Sequence, residues 1–211
     1  MKIGIIGAGM IGAAAARHFA RAGHEVAVSN SRGPETLEEL VAELGPRAKG
    51  MTVEQAARWG EVVILAVPWR SPDALPPADA LRGKIVIDAM NPYDDAGKVM
   101  DLGATTSSGE TRKRLPGARL VKAFNTIWYK HLAERSRPDL PVEERHAIFV
   151  AGDDADAKAV VVRLIEEIGF GAVDTGPLVE GGRRQQPDTE LYNKVITVRD
   201  GRTAVNEGIE P

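Results

Sequence analysis

The chain has 211 residues, of which 43% are hydrophobic, and a formal net charge of −3. These values predict a soluble globular protein of about one domain. They argue against nucleic-acid binding, because a chain with a net negative charge offers no excess of positive charge to attract the phosphates of a nucleic acid. The sequence contains no cysteine, which excludes disulfides, thiolate catalysis and thiolate metal sites and fits a reducing cytoplasm. It shows neither a secretory leader nor a run of about 18 apolar residues, so we expect a cytoplasmic protein that does not span a membrane.

The first thirty residues predict a nucleotide-binding β–α–β unit. Residues 2–6 form a short apolar run typical of a buried parallel strand, and residues 13–22 are rich in alanine and favour a helix. A second strand is predicted over residues 25–28. A glycine-rich segment, residues 7–12, therefore lies at a strand-to-helix turn, where its GxGxxG spacing has the context that the dinucleotide fingerprint requires.

Each glycine of the fingerprint has its own role. Gly7 permits a tight turn, Gly9 leaves room for a pyrophosphate beside the backbone, and Gly12 lets the helix pack closely on the strand. The phosphates then meet free N–H groups and the positive end of the helix, next to Met10 and Ile11. An ordinary glycine-rich loop is the alternative, and the ordered strand, glycines, helix and second strand argue against it.

The residues that follow the second strand indicate which dinucleotide binds. NAD enzymes commonly hold the adenosine ribose with an Asp or Glu about twenty residues after the glycines. This chain has no carboxylate there and instead presents Ser29, Asn30, Ser31 and Arg32. Two hydroxyls and a guanidinium suit a 2′-phosphate, which predicts NADP(H). The alternative is a polar turn that caps the next helix.

Apolar runs alternate with helical stretches along the rest of the chain, which predicts an α/β fold of the Rossmann type with a doubly wound, mainly parallel sheet. We interpret residues 1–211 as a single NADP-binding domain with a short C-terminal extension from about residue 177 to 211. Strands are predicted over residues 49–51, 61–67, 84–88, 119–124, 146–150 and 171–175. Helices are predicted over residues 35–44, 53–59, 155–168 and 189–198, the second of them with Thr52 as a possible cap.

Ligands of such sheets bind beyond the carboxyl ends of the strands. This rule selects four loops, at residues 67–70, 89–93, 124–126 and 175–178. Asn91 is a candidate cofactor contact for that reason. Pro68 either terminates its strand or, since it lacks an N–H, lies against a flat ligand.

An ordered set of motifs lies at residues 1–12, 31–32, 66–69, 84–88, 122–126, 151–154 and 174–178. This set resembles the NADPH-dependent reductases of the deazaflavin coenzyme F420, and is also similar to the cytoplasmic domain of membrane ferric reductases. The resemblance implies hydride exchange between NADPH and a deazaflavin whose ring stacks on the nicotinamide at the carboxyl edge of the sheet. It implies a 2′-phosphate clamp at Ser31 and Arg32, and a wall near ribose and nicotinamide made by Val67, Pro68 and Trp69.

Two segments bear on the second substrate. Residues 125–131 differ from the archaeal members of that family and are expected to face the acceptor, so the acceptor's identity stays open. Residues 183–187 either line the acceptor site or form a surface loop.

Hydride transfer between two flat heterocycles asks little of protein side chains, because the cofactors carry the chemistry. Reduction of an imine or ketone would need a proton donor, and the weak candidates are Lys122 and His131, with Tyr129 and Lys130 nearby. An ion-paired or solvated side chain is the alternative for both. The other three histidines have no metal-ligand companions at useful spacing, so no metal site is expected.

Three functions remain open. The first is an NADPH-dependent oxidoreductase whose hydride acceptor is coenzyme F420 or a flavin. The second is a reductase of a small carbonyl or imine, and the third is a binding module that senses NADPH without chemistry. Too little chain follows the predicted sheet to form the helical substrate domain of pyrroline-carboxylate reductases or hydroxyacid dehydrogenases. We therefore expect a homodimer in which a second subunit completes the acceptor site.

Overall fold

A computed structural model describes residues 1–207 and contains one eight-stranded sheet in the order β3-β2-β1-β4-β5-β6-β7-β8. Strands β1 to β6 are parallel, β7 is antiparallel to β6, and β8 is parallel to β7. The predicted α/β, doubly wound and mainly parallel architecture is therefore confirmed. The strands are β1 Lys2–Ile6, β2 Glu25–Ser29, β3 Ala48–Gly50, β4 Val62–Leu65, β5 Ile85–Asp88, β6 Arg119–Lys122, β7 Ala147–Gly152 and β8 Gly171–Gly176.

Helices cover both faces of the sheet. The helices of the described residues are α1 Met10–Arg21, α2 Glu38–Leu44, α3 Val53–Trp59, α4 Ala78–Leu81, α5 Ser107–Arg114, α6 Tyr129–Glu134, α7 Ala155–Glu167, α8 Leu178–Arg184 and α9 Val198–Glu207. Short 3₁₀ turns occur at Pro34–Leu37, Pro72–Ala74 and Val142–Glu144. None of the helices in residues 1–207 has the length and apolar character needed to span a bilayer.

The apolar strand residues build a core on each face, because successive side chains of a strand point to opposite sides. Ile5 belongs to the core under α1 and α7, whereas the adjacent Ile6 belongs to the core under α3 and α4. Both residues are fully buried. The continuous apolar runs of the central strands thus reflect a sheet that is covered on both sides.

Local signals located most elements correctly, with boundaries shifted by a few residues. Helix α1 begins at Met10, directly after the N-cap Gly9, and not at residue 13. The cap of α3 is confirmed, since Thr52 Oγ1 accepts a hydrogen bond from the Gln55 N–H while the Gln55 side chain accepts one from the Thr52 N–H.

The prediction of a helix over residues 189–198 is wrong. That stretch is mainly turns and irregular backbone, and helix α9 begins only at Val198. The Thr189 hydroxyl bonds to the carbonyl oxygens of Arg184 and Gln186, and Asn193 has a left-handed φ of 55°. Local side-chain bonds and a left-handed residue both oppose a continuous helix here.

Candidate functional site

A cavity of about 280 Å³ opens at the carboxyl ends of β1, β2 and β4. We call it the glycine-loop cavity. Its wall combines the glycine loop, the loop after β2 and the backbone turn after β4. The lining residues are Gly7, Ala8, Gly9, Asn30, Ser31, Arg32, Val53, Ala66, Val67, Pro68 and Ala74.

The three fingerprint glycines meet different surroundings. Gly7 has a φ of 101°, and a Cβ there would lie 2.4 Å from the Ala66 carbonyl oxygen. A Cβ on Gly12 would lie 1.8 Å from the Gly7 carbonyl oxygen, so α1 can approach the turn only without a side chain. A Cβ on Gly9 would meet no protein atom within 4 Å. Gly9 therefore faces open space, as the predicted approach of a pyrophosphate requires.

The N-terminus of α1 is available to an anion. Its N-cap is Gly9, which has no side chain to cap the first turn, and that turn contains no acidic residue. The positive end of a twelve-residue helix consequently points toward the glycine-loop cavity without a competing carboxylate of its own.

Of the residues predicted to follow the second strand, three line this cavity and one does not. Asn30 organises the loop: its Oδ1 accepts the N–H groups of Arg32 and Gly33 at 2.9 and 3.0 Å. The side chains of Ser31 and Arg32 are exposed, and within residues 1–207 neither has a side-chain hydrogen bond or ion pair. An exposed guanidinium and hydroxyl held on an Asn-ordered turn suit a phosphate monoester.

Ser29 is the exception and corrects the prediction that it contacts the cofactor. It is the last residue of β2 and is fully buried, and its hydroxyl donates to the Ile5 carbonyl oxygen at 2.9 Å. The side chain faces the sheet interior because strand residues alternate, which leaves Ser31 as the hydroxyl on the cavity side.

A second cavity, of about 260 Å³, lies beside the first at the carboxyl ends of β5 and β6. We call it the tyrosine cavity. Met10 and Ile11, predicted as cofactor contacts, line it, so consecutive residues of the glycine loop border both cavities. The complete wall consists of Met10, Ile11, Ala89, Asn91, Tyr93, Phe124, Asn125, Ile127, Trp128, Tyr129, Tyr192 and Asn193.

A hydrogen-bonded network crosses the tyrosine cavity wall. The Asn91 side-chain amide donates to the Asn125 carbonyl oxygen at 2.8 Å and to Tyr192 Oη at 3.4 Å. Tyr93 Oη donates to Tyr192 Oη at 3.0 Å. Asn91, predicted as a cofactor contact, thus lies in the second cavity and joins the loop after β5 to the C-terminal segment.

The contribution of the C-terminal segment was missed by the sequence interpretation. Tyr192 and Asn193 line the cavity, and the Asn193 N–H donates to the Thr126 carbonyl oxygen at 2.8 Å. Gln185 is fully buried and its carbonyl oxygen accepts from the Asn125 amide, so residues 183–187 are anchored to the site without lining the cavity. No local sequence pattern predicts that Tyr192 belongs to the site, because its neighbours there lie far away in sequence, in the loops that follow β5 and β6.

Trp69 does not form a cavity wall, which corrects the prediction carried over from the family. Its indole is only 6% exposed and packs into the core, where Nε1 donates to the Ser107 carbonyl oxygen and to Thr111 Oγ1. The Arg114 guanidinium lies 4.7 Å from the centre of the ring. The unpredicted helix α5 supplies all three partners. Of the three residues predicted as a wall near ribose and nicotinamide, Val67 and Pro68 line the glycine-loop cavity.

Lys122 and His131, the two weak catalytic candidates, do not line either cavity. Lys122 is completely buried, where Nζ donates to the Met90 carbonyl oxygen at 2.5 Å and lies 3.4 Å from Asp88 Oδ2. Burial lowers the pKa of Lys122, and the Asp88 carboxylate opposes that shift. His131 lies on α6 with its ring against Trp128, 5.1 Å between centroids. Both side chains are engaged elsewhere in this structure.

The fourth loop selected from the sequence, residues 175–178, does not join the ligand edge. Strand β8 runs antiparallel to β1 to β6, so the chain leaves it in the opposite direction. Leu178 is buried in the core with Trp69. In the part of the chain that the structure describes, no group of three or more His, Asp or Glu side chains could hold a metal ion.

Comparisons with known proteins point to an NADP-dependent oxidoreductase. Residues 2–92 match the family described as NADP oxidoreductase, coenzyme F420-dependent. No curated protein matches the sequence. A hypothetical protein from Sinorhizobium meliloti is 35% identical, with a TM-score of 0.81 over 93% of this chain and 95% of that one. A protein from an Arthrobacter species, provisionally described as an F420-dependent NADP reductase, is 27% identical, with a TM-score of 0.73 over 84% and 86%.

More distant structures share the fold alone. An imine reductase from Bacillus cereus is 20% identical with a TM-score of 0.61, and the match covers 87% of this chain but 57% of that one. The glycine loop and the first five strands lie within the residues that match the family. Residues 2–92 therefore carry the domain of the coenzyme F420-dependent NADP oxidoreductase family, and the comparisons support an NADP-dependent oxidoreductase.

Proposed function

We propose that this protein transfers hydride between NADP(H) and a flat heterocyclic acceptor, either the deazaflavin coenzyme F420 or a flavin. One observation carries the proposal: the glycine loop borders both cavities, with Gly9 in the wall of the first and Met10 in the wall of the second. A dinucleotide whose phosphates lie at the loop would extend its nicotinamide toward the tyrosine cavity, where a second ring can stack against it.

The glycine-loop cavity supports NADP(H) as the dinucleotide. Ser31 and Arg32 are free of other partners in residues 1–207 and stand at the position where NAD enzymes carry an acidic residue. The turn that holds them is fixed by Asn30, so little further ordering of the backbone is needed on binding.

Arg32→Ala is expected to weaken NADPH binding by about 1.5–3 kcal/mol, the value of a charge-assisted hydrogen bond, and to leave NADH binding nearly unchanged. The guanidinium contacts only the 2′-phosphate in this proposal, and NADH lacks that group. Calorimetric titration with each dinucleotide measures the dissociation constants for NADPH and for NADH. Arg199→Ala, which removes an exposed arginine of α9 outside the cavity, is the matched control. Equal losses for the two dinucleotides would contradict the phosphate clamp.

The tyrosine cavity supports a flat acceptor. Its wall contains Phe124 and Trp128 together with three tyrosines, and these aromatic faces suit stacking of a planar ring system. Among the described residues that line it, tyrosines are the only ionisable side chains. Hydride transfer between two flat rings requires the protein to hold the rings in a stacked geometry and to exclude water.

The test is stopped-flow oxidation of NADPH by the purified protein with the deazaflavin, FMN, FAD and simple carbonyls as acceptors. Turnover with the deazaflavin or with a flavin is expected. If none of these three accepts hydride while a carbonyl does, the heterocyclic acceptor is excluded and the oxidoreductase class is kept.

A second candidate function is the reduction of a small carbonyl or imine. The observation that favours it is Tyr192, a phenol in the cavity wall, because a developing alkoxide or amine needs a positioned proton donor. The third candidate, an NADPH sensor without chemistry, would be favoured by an acceptor site that aromatic side chains block. The tyrosine cavity instead has an open volume of about 260 Å³, with Trp128 and Tyr129 in its wall.

We also propose that the protein acts as a homodimer whose second subunit covers the tyrosine cavity. Met10 and Trp128 are large apolar side chains on its rim that are 64% and 42% exposed. A clustered apolar rim is typical of an interaction surface. Size-exclusion chromatography at micromolar concentration is expected to show a dimer that Trp128→Glu weakens, and an exclusively monomeric wild type would contradict the proposal.

A further inference from the structure

Two of the three tyrosines in the tyrosine cavity are directly bonded to each other. Tyr93 Oη donates to Tyr192 Oη at 3.0 Å, and the Asn91 side-chain amide donates to the same oxygen at 3.4 Å. Tyr93 comes from the loop after β5, whereas Tyr192 comes from the C-terminal segment, so the pair joins two parts of the chain 99 residues apart. The third tyrosine, Tyr129, has no side-chain hydrogen bond within residues 1–207.

The bonding leaves the Tyr192 hydrogen free. A phenol oxygen has one hydrogen to donate and two lone pairs that accept. Tyr93 and the Asn91 amide both donate to the Tyr192 oxygen, and the Asn193 side chain is also hydrogen-bonded to it. Among the hydrogen bonds described for residues 1–207, none has an oxygen that accepts the hydrogen of Tyr192. Burial raises the pKa of Tyr192 above its ordinary value, so this phenol stays protonated at neutral pH.

Reduction of a heterocycle, carbonyl or imine by NADPH requires one proton in addition to the hydride. We propose, on the basis of the proposed function, that Tyr192 donates this proton to the acceptor and that Tyr93 returns it from solvent. Tyr93 is half-buried and donates directly to the Tyr192 oxygen, so it stands between that oxygen and water. Lys122 is enclosed in the core and His131 lies outside the cavity wall.

The C4–H bond of NADPH breaks and its electron pair moves with the hydrogen to an electrophilic carbon of the acceptor, which oxidises NADPH to NADP⁺. The Tyr192 O–H bond breaks as a new N–H or O–H bond forms on the acceptor. Burial disfavours the Tyr192 phenolate, so it takes the proton of Tyr93 along their hydrogen bond, and Tyr93 regains a proton from water.

The experiment measures single-turnover and steady-state oxidation of NADPH in H₂O and in D₂O, with the acceptor that turns over fastest in the wild type. Tyr192→Phe is expected to slow single turnover by about 10²-fold, the lower end for general acid catalysis, and to change NADPH affinity less than twofold. Tyr93→Phe is expected to slow steady-state turnover more than single turnover, because it interrupts the return of the proton. The solvent isotope effect is expected to change in Tyr192→Phe and to persist in Tyr129→Phe.

The outcomes separate the proposals. Absence of turnover with any acceptor in the wild type would overturn the proposed function and the proton donor with it. Wild-type turnover that Tyr192→Phe leaves unchanged, with the same solvent isotope effect, would overturn the proton donor alone. An equal loss in Tyr129→Phe, with the same change of isotope effect, would show that the effect is not specific to the Tyr192 hydroxyl and would also overturn it.

Discussion

Gly12→Ala is expected to destabilise the protein by about 3 kcal/mol or more, at the upper end for an overpacked site. The new Cβ would lie 1.8 Å from the Gly7 carbonyl oxygen and 3.3 Å from the Ile5 side chain. The first neighbour is backbone, so the clash is relieved only if α1 moves away from β1. Urea denaturation of the apoprotein measures the loss, and NADPH affinity is expected to fall with it because the same movement displaces the helix N-terminus.

Gly9→Ala is the matched comparison, since it adds the same methyl group three residues earlier. Here the Cβ meets no protein atom within 4 Å, and the backbone φ of −78° is ordinary for any residue. The free energy of unfolding is expected to change by no more than about 1 kcal/mol, the value of an N-cap substitution. NADPH affinity is nevertheless expected to fall at least about tenfold, because the methyl group occupies the space for the pyrophosphate. Unchanged affinity in Gly9→Ala would contradict that assignment of the loop.

The β–α–β unit could be predicted from the sequence because its signals are local. Strand hydrophobicity, glycine spacing and alanine-rich helix content all lie within the first thirty residues, and each depends on the backbone more than on distant contacts. The start of α1 was misplaced because Gly12 has low helix propensity, and tertiary packing overrides that preference.

The direction of side chains at the strand ends could not be predicted. Trp69 and Ser29 are next in sequence to residues that line the glycine-loop cavity, yet both side chains point into the protein interior. For Trp69 the decisive partners lie on α5, a helix that sequence periodicity did not reveal. Tyr192 shows the converse case, since a residue with no local pattern enters the site through contacts with Tyr93 and Asn91.

The role of Lys122, a charged residue of β6, depends on the burial of its side chain, which the sequence does not show. From the sequence it was a weak catalytic candidate with an ion pair as the alternative, and the structure supports the alternative. Its ammonium group lies among Met90 O, Ser107 Oγ and the Asp88 carboxylate, with 1% of its side chain exposed. The contact with Met90 fixes the loop that carries Asn91 into the tyrosine cavity.

Lys122→Met is expected to lower the free energy of unfolding by about 3–5 kcal/mol, because it leaves Asp88 as an unpaired charge in the core. Asp88 is fully buried and accepts hydrogen bonds from the Met90 N–H and the Ser108 hydroxyl, neither of which carries a charge. Methionine keeps most of the apolar stem of lysine and ends one heavy atom shorter, so lost packing contributes little. Urea denaturation monitored by circular dichroism measures the change.

Two further variants test whether the loss arises from the uncompensated charge. Lys122→Met combined with Asp88→Asn removes both charges while the amide oxygen still accepts from Met90, and it is expected to recover about 1–3 kcal/mol of the loss. Lys113→Met breaks the pair with Glu110 at a side chain that is 69% exposed, and is expected to change stability by no more than about 0.5 kcal/mol. A Lys122→Met protein as stable as the wild type but unable to transfer hydride would contradict this account and return Lys122 to the catalytic candidates.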